Sequence, residues 1–314
     1  MKKKAIIISI KRTKLSGKEK ILLAKENPWG LILFKRNIES LEQVKRLIKD
    51  IKKITKDKRF PIIIDEEGLS VSRLKNILNH DFDANYFGKL YKLNRKVSLK
   101  LYKNYLISLC KKLKKIGINI NTIPVLDVLR RNTNKIIGKR SFSEDERIVK
   151  KLGEETIRIC HSNNIISVIK HIPGHGCSSI DSHLSMPKVN LSEKSLNQKD
   201  FYPFKLSSAK LGMTAHILYS KIDPKNVSTF SKKIIKKIIR KKIGFKGILM
   251  SDDISMKALK YDLVTNAKKS LNAGCNLVLY CAGNTRDNFK LIKTVPYIDQ
   301  FTSKKTSEIY KILR

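Results

Sequence analysis

Titratable side chains are concentrated in one segment, which begins at Lys170 and ends at His183. Lys170 and His171 directly follow a short apolar run, residues 165–169, and the stretch after them carries Asp181 and His183. The apolar run predicts a buried strand, and the Pro and Gly residues after it predict a loop. An Asp two residues before a His can orient the imidazole and hold its proton, which suits general acid–base chemistry. The alternative is that His183 is an ordinary surface residue of the loop.

A second apolar run, residues 247–251, ends in Asp252 and Asp253. A carboxylate at a strand end can act as a nucleophile or as an electrostatic stabiliser. The alternative is that both residues cap a helix that starts near Ser255, because Asp is a preferred N-cap residue. Two strand ends of this kind, far apart in the chain, predict one site where the strands end.

Further polar side chains have the position and chemistry to bind a substrate. Lys170 and His171 close their strand, and Asp65 follows the apolar run 61–64. An Asp carboxylate is an acceptor that suits sugar diols, whereas Lys170, Arg73 and Arg140 would donate to substrate oxygens. The alternatives are a helix cap for Asp65, a rim lysine with a buried stem for Lys170, and ordinary surface cations for the two arginines.

A metal site would be another use of this loop, with His171, His175, Asp181 and His183 as ligands. Their spacing matches neither HExxH nor a closed zinc pattern. The five cysteines are scattered without a close CxxC pair, which argues against a zinc ribbon or a disulfide framework. We expect no metal and no cofactor.

The elements that must position these residues recur along the chain. Amphipathic stretches such as 41–53, 97–116, 144–161 and 231–242 predict helices between short apolar runs. Runs that are apolar on consecutive positions suit strands covered on both faces. About eight strand–helix units predict an α/β fold, a single (β/α)8 TIM-type barrel over residues 1–314, with a doubly wound open sheet as the alternative. The runs are 5–10, 31–34, 61–64, 118–123, 165–169, 211–215, 248–251 and 277–280.

Composition bounds the class of protein. The 314 residues are 41% hydrophobic, enough for a sizeable core, and carry a formal net charge of +40. That charge suggests nucleic-acid or anionic-surface binding, but the lysines are spread over nearly every segment instead of clustering with aromatic residues. We therefore expect no specific nucleic-acid partner. The apolar run 5–10 that follows the basic N-terminus is too short for a signal peptide or a membrane span, so we expect a soluble, cytoplasmic protein. We also expect a monomer.

Several motifs, in order over roughly residues 20 to 285, resemble glycoside hydrolase family 3, and in particular its single-domain bacterial β-N-acetylglucosaminidases of peptidoglycan recycling. Residues 170–176 with 181–183 are similar to the family's KHFPGHG…DSH loop, and residues 244–256 resemble its segment around SDDLSM. Four further stretches are similar to family motifs: 30–37, 124–128, 137–142 and 273–277. The resemblance implies the (β/α)8 barrel independently of the strand count.

The resemblance also implies roles for individual residues. Asp252 matches the family's nucleophile, His183 its acid/base, and Asp181 the partner of that His. The positions that bind N-acetylglucosamine in the family are occupied here by Asp65, Arg73, Arg140, Lys170 and His171.

One segment departs from the family pattern, because Leu69 stands where the family has Gly and Ser70 where it has Arg. A leucine at a position that requires a positive φ would strain the loop, and loss of the Arg would loosen the support of Asp65 or of a neighbouring residue.

The resemblance predicts a retaining exo-β-N-acetylglucosaminidase that acts on GlcNAc-1,6-anhydro-MurNAc muropeptide fragments. A His as the acid is unusual and keeps a phosphorylase open, because a neutral imidazole does not repel an incoming anion. The further alternatives are a metal-dependent hydrolase and a cationic binding protein on a decayed enzyme scaffold.

Overall fold

The computed structural model describes residues 2–182 and 185–313. Within them, eight parallel strands close into a barrel. The predicted (β/α)8 barrel is therefore confirmed, and the doubly wound alternative, which would leave open sheet edges, is wrong. The barrel strands are β1 (Lys4–Ile8), β2 (Pro28–Leu33), β3 (Ile62–Ile64), β4 (Ile120–Asn121), β5 (Ile166–Ile172), β7 (Leu211–Thr214), β9 (Ile248–Asp253) and β10 (Leu277–Leu279). Their order around the barrel is β1-β10-β9-β7-β5-β4-β3-β2.

Helices follow most barrel strands and cover the outside of the barrel. The predicted helices 97–116 and 144–161 correspond to α4 and α5 to within two residues. The predicted helix 231–242 is present, but residues Ile234–Lys242 form wider, π-type turns. The α-helices are α1 (Gly17–Glu26), α2 (Leu41–Ile54), α3 (Ala84–Leu93), α4 (Arg95–Ile116), α5 (Glu146–Ser162), α6 (Glu193–Gln198), α7 (Leu263–Ala273), α8 (Thr285–Thr294) and α9 (Gln300–Ile312).

The barrel strands are apolar on successive residues because both of their faces are covered. In β1, Ile7 belongs to the cluster that fills the barrel, whereas Ile6 and Ile8 belong to the cluster between barrel and helices. Side chains on alternate positions of a strand point to opposite faces. Consecutive isoleucines therefore serve two separate cores, which is the pattern expected for buried parallel strands.

Two further strands lie outside the barrel, β6 (Lys188–Val189) and β8 (Leu218–Tyr219), and they pair in parallel. This small sheet brings Tyr219 against the loop after β5, where its hydroxyl donates to the carbonyl oxygen of Gly174 at 2.5 Å. In the parts of the chain that the structure describes, no helix is both long enough and apolar enough to cross a membrane.

Candidate active site

A cavity of about 270 Å³ opens at the carboxyl-terminal end of the barrel strands. This is the end at which sites of (β/α)8 enzymes form. Six of the predicted site residues line it together: Asp65, Arg73, Arg140, Lys170, His171 and Asp252. Apolar side chains complete the wall, namely Ile32, Val71, Ile136, Met213 and Leu279. Mixed walls of this kind suit a ligand with both polar edges and apolar faces.

Asp65 follows the end of β3 and is held by three donors. Its Oδ1 accepts from Thr122 Oγ1 at 2.5 Å and from Lys170 Nζ at 3.2 Å, and its Oδ2 accepts from Arg73 Nη2 at 3.0 Å. Burial raises the pKa of this carboxyl, but Lys170 and Arg73 outweigh burial and hold it well below its ordinary value. Asp65 is thus an ionised acceptor at neutral pH. Among the described residues nothing pairs with the buried Nε of Arg73.

Glu67 and Arg140 form a buried ion pair in the cavity wall. Arg140 Nε and Nη2 donate to the two oxygens of Glu67 at 2.7 and 2.9 Å, and Lys170 Nζ lies 2.5 Å from Glu67 Oε1. Burial raises the pKa of Glu67, but Arg140 and then Lys170 outweigh it and lower the pKa to about 2. Lys170 therefore sits between two ionised carboxylates. The charges fix one another before a ligand arrives, so binding requires little reorganisation.

Asp127 follows β4 and orders His171. Its Oδ2 lies 2.6 Å from His171 Nδ1, and its Oδ1 accepts from the backbone N–H groups of His171 at 3.2 Å and His175 at 2.6 Å. Burial raises the pKa of Asp127, but His171 and His175 outweigh burial and lower it. The ionised Asp127 engages Nδ1 of His171, which leaves Nε2 as the ring nitrogen for a ligand.

The loop after β5 is held by two contacts of Ser182, the residue that follows Asp181. His175 Nε2 lies 3.2 Å from Ser182 Oγ, and the backbone N–H of Ala258 donates to the carbonyl oxygen of Ser182 at 3.2 Å. Burial lowers the pKa of His175 to about 4, so this imidazole is neutral at neutral pH. Asp181 is not among the residues that line the cavity. His183 lies outside the described residues, so its predicted role stays a prediction.

The two carboxylates at the end of β9 have different surroundings. Asp252 lines the cavity. The carboxylate of Asp253 instead accepts from Ser255 N and Oγ, at 3.1 and 2.6 Å, and from Cys281 N at 3.1 Å, which closes a turn. The alternative of a helix near Ser255 is wrong, because the next helix begins at Leu263 and is capped by Asp262. The local capping chemistry at Asp253 is present, but it stabilises a turn.

His216 lies at the end of β7 and is fully buried. Its Nε2 lies 3.0 Å from the carbonyl oxygen of Asp253, and its Nδ1 lies 2.7 Å from Thr229 Oγ1. Burial lowers the pKa of His216, so the ring is neutral and donates from Nε2 to that carbonyl. His216 thereby supports the strand end that carries Asp252.

Three acidic residues of the site were not assigned a role from the sequence: Glu66, Glu67 and Asp127. Glu66 is fully buried, and its carboxylate accepts from the backbone N–H groups of Arg73 and Leu74 at 2.8 and 3.1 Å. The signal for all three was their position just after a predicted strand. Their partners could not be identified without the closed barrel.

The expected strain at Leu69 is absent, because the positive φ in this loop belongs to Gly68, at 148°. Leu69 is an exposed side chain, and the Ser70 backbone N–H and hydroxyl donate to the carboxylate of Asp83 at 2.7 and 2.8 Å. Ser70 therefore takes part in holding the loop. Asp65 keeps three donors without an Arg at that position.

Within residues 2–182 and 185–313, no group of three or more His, Cys, Asp or Glu side chains is arranged to hold a metal ion. Two of the cavity's carboxylates, Asp65 and Glu67, are paired with Lys and Arg instead. The charge of the wall is thus balanced by the protein's own side chains.

The barrel and its cavity of carboxylates, cations and one histidine define a (β/α)8-barrel enzyme with a polar substrate. The family model described as glycosyl hydrolase family 3 N terminal domain matches residues 2–306. The chain therefore belongs to glycosyl hydrolase family 3, as the sequence motifs predicted.

Similar proteins agree with this assignment. A beta-hexosaminidase from Haemophilus influenzae is 33% identical over 306 residues, which cover 93% of this chain and 85% of that protein. A beta-hexosaminidase from Hydrogenovibrio crunogenus is 34% identical over 281 residues, covering 88% of this chain and 78% of the relative. The crystal structure of NagZ from Neisseria gonorrhoeae in complex with N-trifluoroacetyl-D-glucosamine superposes with a TM-score of 0.88 and 29% identity, covering 98% of this chain and 90% of that chain.

Proposed function

We propose that this chain is a β-N-acetylhexosaminidase that releases terminal N-acetylglucosamine from β-glycosides with retention of configuration. The observation that carries the proposal is the shared cavity, which joins Asp252 to the five residues assigned to sugar binding. The relatives described as beta-hexosaminidases and the neighbour solved with an N-acylated glucosamine support the same activity.

In the proposed mechanism, Asp252 attacks the anomeric carbon while His183 protonates the departing glycosidic oxygen. The bond to the aglycone breaks, and a glycosyl ester of Asp252 forms. Water then attacks the same carbon and gives a proton to His183, and Asp252 leaves as a carboxylate. Asp181 orients His183 in both steps. The assignment of Asp252 over Asp253 is supported by the turn that occupies the carboxylate of Asp253.

The sugar is proposed to bind through the charged wall. Asp65 accepts hydrogen bonds from adjacent sugar hydroxyls, while Arg73, Arg140 and Lys170 donate to sugar oxygens. His171 contributes the ring nitrogen that Asp127 does not engage. Because Lys170 already bridges Asp65 and Glu67, these groups meet the sugar in fixed positions.

We propose GlcNAc-1,6-anhydro-MurNAc peptides as the natural substrate, in line with the resemblance to the enzymes of peptidoglycan recycling. The same proposal makes residues 1–314 one catalytic domain that acts as a monomer in the cytoplasm. Turnover of the purified disaccharide, compared with chitobiose, tests the aglycone preference. Light scattering tests the oligomeric state, and cell fractionation tests the location.

The central test is turnover of a nitrophenyl N-acetyl-β-glucosaminide with and without phosphate, followed by NMR of the first-formed product. We expect free β-N-acetylglucosamine at a rate independent of phosphate and of chelators. The Asp252→Asn variant serves as the control for contaminating activity. A sugar 1-phosphate as product would establish the phosphorylase instead, loss of turnover with chelator would establish a metal-dependent hydrolase, and the absence of turnover would favour the binding protein.

A further inference from the structure

Glu66 is a buried carboxylate between two residues of the cavity wall, Asp65 and Glu67. Its side chain is fully buried and does not line the cavity, as expected when successive side chains of an extended segment alternate in direction. Its backbone is held by Asn121, whose Oδ1 accepts from Glu66 N at 3.0 Å and whose Nδ2 donates to Glu66 O at 2.8 Å. The backbone N–H and carbonyl oxygen of Glu66 are thereby both tied to β4.

Four donors converge on the Glu66 carboxylate. Two are the backbone N–H groups of Arg73 and Leu74, at 2.8 and 3.1 Å. The other two are Ser72 Oγ and His80 Nε2, at 2.5 and 2.6 Å from Oε1. The loop from residue 67 to residue 74 therefore folds around this single side chain.

His80 is held in turn by Tyr105, whose hydroxyl lies 2.7 Å from Nδ1. Burial, and after it Glu66, raises the pKa of Tyr105, so the phenol keeps its proton. The other ring nitrogen of His80, Nε2, faces Glu66 Oε1. The chain of hydrogen bonds thus runs from α4 through His80 to the loop.

The consequence for the site lies in Arg73. Its backbone N–H is fixed by Glu66, and its guanidinium reaches back to Asp65 Oδ2 at 3.0 Å. Glu66 therefore fixes the point from which the Arg73 side chain extends toward Asp65. Arg73 and Asp65 both belong to the proposed sugar site. Without Glu66, the loop would lose four hydrogen bonds at once.

We propose that Glu66, with His80 behind it, is a positioning residue that sets glycone affinity by holding Arg73 against Asp65. This inference rests on the proposed role of Asp65 and Arg73 in sugar binding. A positioning role predicts weaker binding of the sugar with little change in the chemical step, because Asp252 belongs to a different strand end.

The test compares Glu66→Gln with the wild-type enzyme in two measurements: kcat and KM on the nitrophenyl glycoside, and the Kd of N-acetylglucosamine by calorimetry. Glutamine keeps the shape of Glu66 and one acceptor oxygen. Its NH2 group is a donor, however, and would face the two donors Ser72 Oγ and His80 Nε2. We expect KM and Kd to rise about tenfold or more, with kcat within about threefold of wild type, the size expected when hydrogen bonds to a charged group are lost.

The matched control is Asp57→Asn. Asp57 is also buried and accepts from Lys3 Nζ, Tyr310 OH and Arg59 N, but it lies away from the cavity. This variant should lose thermal stability while KM and Kd stay within about twofold of wild type, since surface or core changes away from a site act on the folded fraction. The control separates positioning of the sugar site from general loss of stability.

Should Glu66→Gln fail to fold, Ser72→Ala decides the question, because it removes one donor from the carboxylate and leaves the rest. A rise in KM and Kd of about twofold to fivefold would support the inference, by the loss of one hydrogen bond. Unchanged KM and Kd in a folded Glu66→Gln, or failing that in Ser72→Ala, would overturn it. If the wild-type enzyme neither hydrolysed the glycoside nor bound the sugar, the proposed function itself would fail, which is a separate outcome.

Discussion

Replacing Arg140 with Gln removes the main partner of the buried Glu67 carboxylate. The side chains of Arg140 and Glu67 are only 12% and 6% exposed, so solvent screens their attraction little. The pKa of Glu67 falls from its ordinary 4.5 to about 2 in the folded protein. At about 1.4 kcal/mol per pKa unit, this corresponds to roughly 3 kcal/mol of stability at neutral pH. Lys170 remains beside Glu67 in the variant, so we expect a loss of about 2–3 kcal/mol.

The sign of the pH dependence follows from the direction of the shift. Because the folded-state pKa of Glu67 is lowered, its contribution is complete above the unfolded-state value near 4.5 and is lost as the pH falls toward about 2. The cost of Arg140→Gln should therefore be largest at pH 7 and shrink between pH 5 and pH 2. Urea unfolding at a series of pH values measures this difference directly.

The control is Arg158→Gln, which removes an exposed helical pair with Glu155. The Arg158 side chain is 59% exposed, so its loss should cost less than about 0.5 kcal/mol at any pH. If Arg140→Gln lowered the free energy of unfolding no more than Arg158→Gln does, or by an amount that does not change with pH, the buried Arg140–Glu67 pair would not stabilise the protein in this way.

Three further predictions concern the chemistry and the charge. Asp252→Asn should lower turnover by about a thousandfold or more while sugar binding persists, whereas Asp253→Asn should mainly lower stability, because it disturbs the turn. Kinetics and calorimetry on both variants check this. A larger loss of turnover for Asp253→Asn than for Asp252→Asn would reverse the assignment. His183→Ala should slow glycosides with poor leaving groups far more than the nitrophenyl glycoside, since a good leaving group needs little protonation; equal losses on both would restrict His183 to binding. Duplex DNA titrations should show weak binding without sequence preference that falls steeply from low to physiological salt, and tight binding that survives physiological salt would contradict the expectation of a dispersed surface charge.

The barrel could be predicted from the sequence because each strand serves two cores. A run such as Ile62–Ile64 is apolar on every residue, and eight such runs with helices between them leave few other arrangements. The positions of polar residues just after the strands then located the end of the barrel that carries the site.

The pairings within the site could not be predicted, because they depend on closure of the barrel. Glu67 and Arg140 are 73 residues apart, and no local pattern links them. The same short sequence pattern is also compatible with more than one local structure. Asp253 has the neighbours of a helix cap, yet its carboxylate closes a turn with Ser255 and also accepts from the backbone N–H of Cys281. Leu69 was expected at a positive φ, but Gly68 beside it takes that conformation.

The role of Asp252 as the nucleophile is tested most directly by identifying the residue that becomes glycosylated. The enzyme is mixed with a slow, activated N-acetylglucosaminide, quenched in acid, digested and analysed by mass spectrometry, with Asp252→Asn as the control. We expect a peptide that contains Asp252 and carries the mass of one N-acetylhexosaminyl group, absent from the control. An adduct on another residue, or turnover with inversion and no adduct, would contradict it.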